Sequence, residues 1–165
     1  MEIEIAQASR KDKSILRNLL ELCQHDYSEF NQADVDEHGL FGYGYLENYW
    51  TEEGRHAFLV RVGGKLAGCV LVRKVEDVDA GSAHSMAEFF ILRKYRRRGL
   101  GRKVAFQIFD MFPSPWSVSQ EKGNLPAQTF WRNVISENTQ GNYQEIRLEN
   151  QPETGFIQKF VARKS

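Results

Sequence analysis

The stretch Glu88-Phe-Phe-Ile-Leu-Arg-Lys-Tyr-Arg-Arg-Arg-Gly-Leu-Gly-Arg-Lys103 holds the residues whose types and spacing most clearly suit chemistry. An apolar run ends at Leu92, a short basic loop with Gly99 and Gly101 follows, and a helical pattern begins at Leu100. The first turn of a helix has backbone N–H groups without internal partners, and the aligned peptide dipoles put partial positive charge there. Glycines let an anion approach that backbone, so a strand, a Gly loop and a helix in series make an anion site. Arg96, Arg97, Arg98, Arg102 and Lys103 add attraction for a polyanion. The spacing is neither a Walker loop, since no Gly-Lys-Ser/Thr follows, nor the three-glycine dinucleotide fingerprint. Taken alone, Gly-x-Gly also suits a helix start that packs closely beside a solvated basic face.

Glu88 is the best carboxylate candidate for a site, because an unpaired charge on an apolar strand is costly to bury. The competing reading pairs it with an arginine such as Arg73 or points it to solvent. His84 is a weaker base, since a lone strand histidine is usually structural. A second concentration lies upstream. From Glu21 to Glu53 there are nine acidic residues and no Lys or Arg, whereas Arg93 to Lys103 holds seven basic residues and no acid. Within the acidic stretch Tyr27, Phe30, Phe41, Tyr43, Tyr45, Tyr49 and Trp50 interleave with carboxylates. Aromatic faces and carboxylates together attract cations. The alternative is a solvated acidic loop whose aromatics pack on a sheet.

Periodicity supplies the elements that must position these residues. Ile3 to Gln7 alternates and reads as a strand. Lys11 to Tyr27 sets Ile15, Leu16, Leu19, Leu20, Leu22 and Cys23 at helical spacing. Short helices and loops are expected up to Trp50. The segments 57–62 and 65–75 flank Gly63-Gly64 and predict a hairpin with a primed turn. A turn over 76–81 leads to a central strand, His84 to Leu92. Leu100, Val104, Ile108 and Phe112 form one helical stripe, which Pro113 and Pro115 end. A short strand at 116–119, a helix after Pro126, and strands near 143–149 and 156–161 around a polar turn complete an α/β fold on one mixed sheet.

At 165 residues the chain suits one domain. A formal net charge of zero argues against a surface built for nucleic acid. The basic run is confined to one loop, and no known nucleic-acid motif accompanies it. Cys23 and Cys69 have no metal or disulfide spacing and read as buried reduced thiols of a cytoplasmic protein. No secretion signal is visible, and no apolar run approaches the ~20 residues that span a bilayer.

Arg96-Arg97-Arg98-Gly99-Leu100-Gly101 resembles the GNAT superfamily signature Gln/Arg-x-x-Gly-x-Gly/Ala, which cradles the pyrophosphate of coenzyme A. The resemblance implies that these residues and Arg102 bind acetyl-coenzyme A, while backbone groups of Ile91 and Leu92 pair with its pantetheine arm. Asn124-Leu-Pro-Ala127-Gln-Thr-Phe130-Trp131 resembles a second family motif, Asn-x-x-Ala-x-x-Phe/Leu-Tyr. It implies that Asn124, Phe130 and Trp131 flank the far side of the cofactor, although Asn124 also suits a helix cap before Pro126. Two motifs in the family's order are more specific than either. The implied fold is a mixed, mostly antiparallel sheet of six to seven strands flanked by helices, forming a single domain over residues 1–165.

The implied activity is direct transfer of an acetyl group from acetyl-coenzyme A, as co-substrate, to a primary amine of a small molecule or peptide. Ala87-Glu88-Phe89-Phe90 is similar to the acidic-acidic-Phe-Phe segment of polyamine acetyltransferases, with one acid kept. Tyr27, Glu29 and Tyr45 are then the expected amine-binding residues. The family commonly has a Tyr where this chain has Trp131, and an indole N–H is not a useful acid. Tyr143, a water or unassisted departure of the thiolate would replace it. No metal, nucleic acid or membrane partner is implied, and a homodimer is left open. Trp131 also keeps open a non-catalytic acyl-coenzyme A-binding, regulatory module of the same fold.

Overall fold

The computed structural model describes residues 1–149 and 155–165. Its strands are β1 (Ile3–Gln7), β2 (Arg55–Val62), β3 (Lys65–Asp77), β4 (Gly81–Ile91), β5 (Pro115–Glu121), β6 (Gln144–Leu148) and β7 (Gly155–Val161). The α-helices are α1 (Lys13–Asn31), α2 (Asn48–Thr51), α3 (Leu100–Met111) and α4 (Leu125–Thr139). The seven strands form one sheet in the order β1-β2-β3-β4-β5-β7-β6. β1 with β2, β2 with β3, β5 with β7 and β6 with β7 pair antiparallel, while β4 and β5 run parallel at His84↔Trp116 and Ser85↔Ser117. This is the expected mixed, mostly antiparallel sheet. No helix among the described residues is long and apolar enough to cross a membrane.

Local sequence explains most boundaries. Gly63 and Gly64 both take positive φ, 55° and 79°, as a two-residue primed turn demands. β3 and β4 are longer than the alternation suggested, leaving a tight turn at 78–80. Asp77 accepts there from the backbone N–H groups of Asp79 and Ala80. The helix predicted from Lys11 begins two residues later, after a 3-10 turn at Arg10–Asp12. It runs a further turn, to Asn31, where Gln32 takes a left-handed cap. Leu22, counted with the apolar face, is 50% exposed. Leu22 lies at the solvent edge of the face that Leu16, Leu19, Leu20 and Cys23 bury. The polar turn between the last two strands lies mainly outside the described residues.

Backbone proximity divides the chain into two compact units: residues 1–73 with 87–96, and residues 74–86 with 97–165. In the first, Leu16, Leu19, Leu20 and Cys23 of α1 pack with Ala57 and Leu59 of β2, Cys69 and Leu71 of β3, and Phe90 of β4. Gly68 lies where a Cβ would sit 2.0 Å from the carbonyl oxygen of Phe90, so only glycine permits this approach of β3 to β4. In the second, the expected stripe of α3 is buried at Leu100, Val104 and Ile108. Phe112 falls just past the helix as its C-terminal cap. The Phe109 ring meets Trp116 at 5.1 Å and Phe160 at 5.4 Å, both edge-on. A reciprocal amide pair, Gln120 with Gln158, is buried between β5 and β7.

Candidate functional site

Glu88 lies half-buried on β4, and Cys23 of α1 reaches its carboxylate: the thiol donates to Oε2 at 3.7 Å. One helical turn on, Tyr27 Oη donates to the Phe89 carbonyl at 3.4 Å. Residues four apart share a helix face, which is why both address the same piece of strand. Burial first, then the charge of Glu88, pushes the Cys23 thiol far above its ordinary range. The same causes push the Tyr43 phenol far up and Cys69 to about 12. Tyr27 is raised by burial, then by Cys23 and Glu88, and Tyr49 chiefly by burial. These groups therefore stay protonated across the physiological range, and among them the Cys23 thiol donates to the Glu88 carboxylate.

Of the three expected amine-binding residues, Tyr27 joins this cluster. Glu29 is exposed on α1, and Tyr45 is 64% exposed, edge-on to Tyr43 at 6.5 Å and 5.8 Å from the Arg55 guanidinium. Sequence reasoning did not single out Glu21. Its two carboxylate oxygens accept the backbone N–H groups of Phe41 and Gly42, each at 2.8 Å, and so pin the loop that carries Tyr43. Cys23 reads from sequence only as a structural thiol. Its four-residue offset from Tyr27 was the available signal, but nothing local names Glu88 as its partner.

The arginines beyond β4 divide by role. In the first unit, Asp26 of α1 grips two of them, Arg93 at 2.8 Å and Arg96 at 2.5 Å. Arg96 Nε also donates to the Ile91 carbonyl at 2.7 Å. Leu92 N–H donates to the Ala67 carbonyl, and the Leu92 carbonyl accepts from Tyr95 N–H. Arg96 thus braces the strand end, and several of the backbone groups at Ile91 and Leu92 already hold protein partners.

In the second unit, Arg97 and Gly99 take left-handed φ of 62° and 74° before α3. No side chain caps that helix, and its first backbone bond runs from Lys103 N–H to the Gly99 carbonyl. The N–H groups of Leu100, Gly101 and Arg102 therefore have no acceptor within the helix. A Cβ built on Gly99 would meet nothing within 4 Å, so open space lies beside this backbone. Arg97 and Arg98 are exposed. The Arg102 guanidinium instead pairs with Glu137 of α4, its Nε 2.7 Å from Oε2, and lies 4.5 Å from the Phe106 ring.

Asn124 caps α4, its Oδ1 accepting Ala127 N–H at 3.1 Å with Pro126 in the first turn. Trp131 is buried, with Phe130 edge-on at 4.9 Å. Asn124→Ala is expected to lower stability by about 1 kcal/mol, seen as a fall in Tm, whereas Asn124→Ser retains the cap and most of the stability. Tyr143 lines a groove with Asp77, Ala83, Trp116 and Lys159 of the second unit; the Glu88 cluster is made of first-unit residues. His84 Nδ1 lies 2.6 Å from Ser114 Oγ, with its ring against Phe112 and Trp116. Among the described residues, no group of three or more His, Cys, Asp or Glu side chains is arranged to hold a metal ion.

The family model described as "Acetyltransferase (GNAT) family" matches residues 16–134. No curated protein sequence matches significantly. Among solved structures, the chain is similar to an acetyltransferase from Thermus thermophilus, with 15% identity, 96% of each chain covered and a TM-score of 0.69. It is also similar to the PaiA N-acetyltransferase of Thermoplasma acidophilum in complex with coenzyme A, with 10% identity, 98% and 99% coverage and a TM-score of 0.66. A third is the spermidine N-acetyltransferase of Vibrio cholerae in complex with CoA and spermine, with 11% identity, 98% and 96% coverage and a TM-score of 0.66. At these identities the likeness concerns the fold.

Proposed function

The chain belongs to the acetyltransferase (GNAT) family, and from that premise we propose that it transfers the acetyl group of acetyl-coenzyme A directly to a primary amine of a small molecule or peptide. The observation that carries the reading is the start of α3: uncapped, opened by Gly99 at positive φ, preceded by exposed arginines and bordered by open space. That chemistry suits a pyrophosphate, which takes several backbone N–H donors at once and is favoured by the helix dipole. Arg97 and Arg98 add charge, and Arg102 can join them by leaving Glu137. When bound, acetyl-coenzyme A supplies an activated acyl carbon.

The amine's proton goes to Glu88, and as the C–S bond breaks the coenzyme A thiolate leaves unassisted and takes its proton from Tyr143 or water. An incoming amine is protonated at neutral pH and must lose a proton before it can attack. Glu88 accepts that proton directly or through one water, and its negative charge also attracts the ammonium form. Cys23 and Tyr27 hold the surrounding strand and carboxylate in place. The free, buried thiols of Cys23 and Cys69 suit a reducing compartment, and the cytoplasm is the proposed location.

Acetyl-coenzyme A offered with a panel of polyamines, aminoglycosides and peptide N-termini tests the proposal. Amine-dependent release of free thiol is the expected result. Tight coenzyme A binding without thiol release from any amine would favour the regulatory module that Trp131, in the usual Tyr position, leaves open. Gly99→Val tests the phosphate site. A β-branched residue strains the left-handed backbone and projects into the space proposed for the anion. Coenzyme A affinity is expected to fall at least ~10-fold by calorimetry, a loss of ~1.4 kcal/mol. Unchanged affinity in a folded variant would remove the pyrophosphate from this loop.

A further inference from the structure

We propose that Cys23 is a positioning residue for Glu88, its S–H holding carboxylate oxygen Oε2 so that the base presents a fixed geometry to the amine. The inference rests on Glu88 being the base. Its observations are independent of turnover: Cys23 is fully buried, its thiol is free, and Sγ sits 3.7 Å from Oε2. A thiol is ordinarily a weak donor, but a charged acceptor strengthens the bond, and a buried setting strengthens it further.

The groups around Glu88 make the polarity of this contact one-way. The charge of Glu88 acts on Cys23 and Tyr27 of α1, on Tyr43 of the loop after α1, on Tyr49 of α2 and on Cys69 of β3. Each is a neutral acid, and burial together with Glu88 itself holds the Cys23 proton in place. Cys23 therefore donates throughout the working pH range and does not compete for the amine's proton. A buried alanine would keep the site apolar, at the cost of a small void, but could not donate. A serine could, with nearly the same shape.

This sets up a comparison. Cys23→Ala removes a donor to the charged form of Glu88, so protonation of Glu88 moves to higher pH. The acid limb of the kcat profile should shift upward, with kcat falling roughly 3- to 10-fold. The KM for acetyl-coenzyme A should stay near wild type. Cys23→Ser should return both the limb and kcat toward wild type. Equal behaviour of the Ala and Ser variants, or a limb that does not move in folded Cys23→Ala, would overturn the proposal.

A second readout needs neither the cysteine variant to fold nor the protein to turn over. The infrared S–H stretch of the wild-type protein should contain a band lowered in frequency by the charged acceptor, and Glu88→Gln should move it up. Identical S–H bands in the two proteins would also overturn the proposal. If the band moves but no amine releases thiol, the Cys23–Glu88 contact stands and the proposed function fails, so the two ideas are separable.

Discussion

Glu88→Gln is expected to lower kcat by about 10²- to 10⁴-fold while leaving acetyl-coenzyme A affinity near wild type, the deficit typical of losing a positioned general base. Glutamine keeps the length and polarity of the side chain, so the change isolates the loss of charge and basicity. The affinity should be spared because the proposed pyrophosphate contacts are backbone groups at the start of α3, which the substitution does not touch. The pH dependence carries the sign. At neutral pH the acceptor is mostly ammonium, and the variant has no group to take its proton. As pH rises toward the amine's own pKa, free amine accumulates without help, so the defect should shrink. Should Glu88 act only by attracting the ammonium, KM for the amine would rise with kcat spared at saturation. Wild-type kinetics at neutral pH would exclude Glu88 from the chemistry and return attention to His84.

Gly68→Ala is expected to damage the first unit severely. The new Cβ would stand 2.0 Å from the Phe90 carbonyl oxygen, nearer than unbonded atoms approach, with Phe90 C at 3.0 Å and Ile91 Cα at 3.1 Å. All three atoms are backbone, so no rotamer change relieves the clash and β3 must move away from β4. The cost should reach the upper end of the ~1–3 kcal/mol usual for overpacked cores, or exceed it. A fall in Tm together with loss of activity is the expected pair of readings. The activity loss follows because Phe90 stands two residues from Glu88 and the Leu92 N–H bond to Ala67 closes the same strand pair. A Gly68→Ala protein with wild-type Tm would mean that the two strands lie farther apart in solution.

The division between legible and hidden features follows from how far apart the interacting residues lie in the chain. The order of elements was readable because each depends on a local pattern: alternation in β1 and β2, the glycine pair that needs two positive φ angles, the stripe of α3. The uncapped start of α3 behind Gly99 at positive φ was readable for the same reason, since a helix start is built from consecutive residues. Asn124 shows the limit of such reading. The sequence allowed both a cap and a cofactor contact, and the structure shows that the amide oxygen caps the helix. Leu22 shows another: membership of an apolar face turns on ~100° of rotation per residue, so a near miss in spacing ends on the solvent side.

The Glu88 surroundings belong to the other class. The Cys23 bond to Glu88 joins residues 65 apart in the chain, and the grip of Asp26 on Arg96 joins residues 70 apart. No periodicity encodes such a pair. It exists because the buried face of α1 fixes the rotation of that helix against β2, β3 and β4, and that rotation aims Cys23, Asp26 and Tyr27 at one end of β4 and the loop beyond it. The same packing pairs Arg96 with Asp26 and the Ile91 carbonyl, and makes a thiol that looked inert a donor beside the carboxylate. The sequence by itself determined which residue types were present and which short segments were strand, turn or helix, because those depend on backbone preferences within a few residues. Only the tertiary structure decided which side chains share a site, because burial of the apolar face of α1, and not any local preference, sets where its polar side chains end.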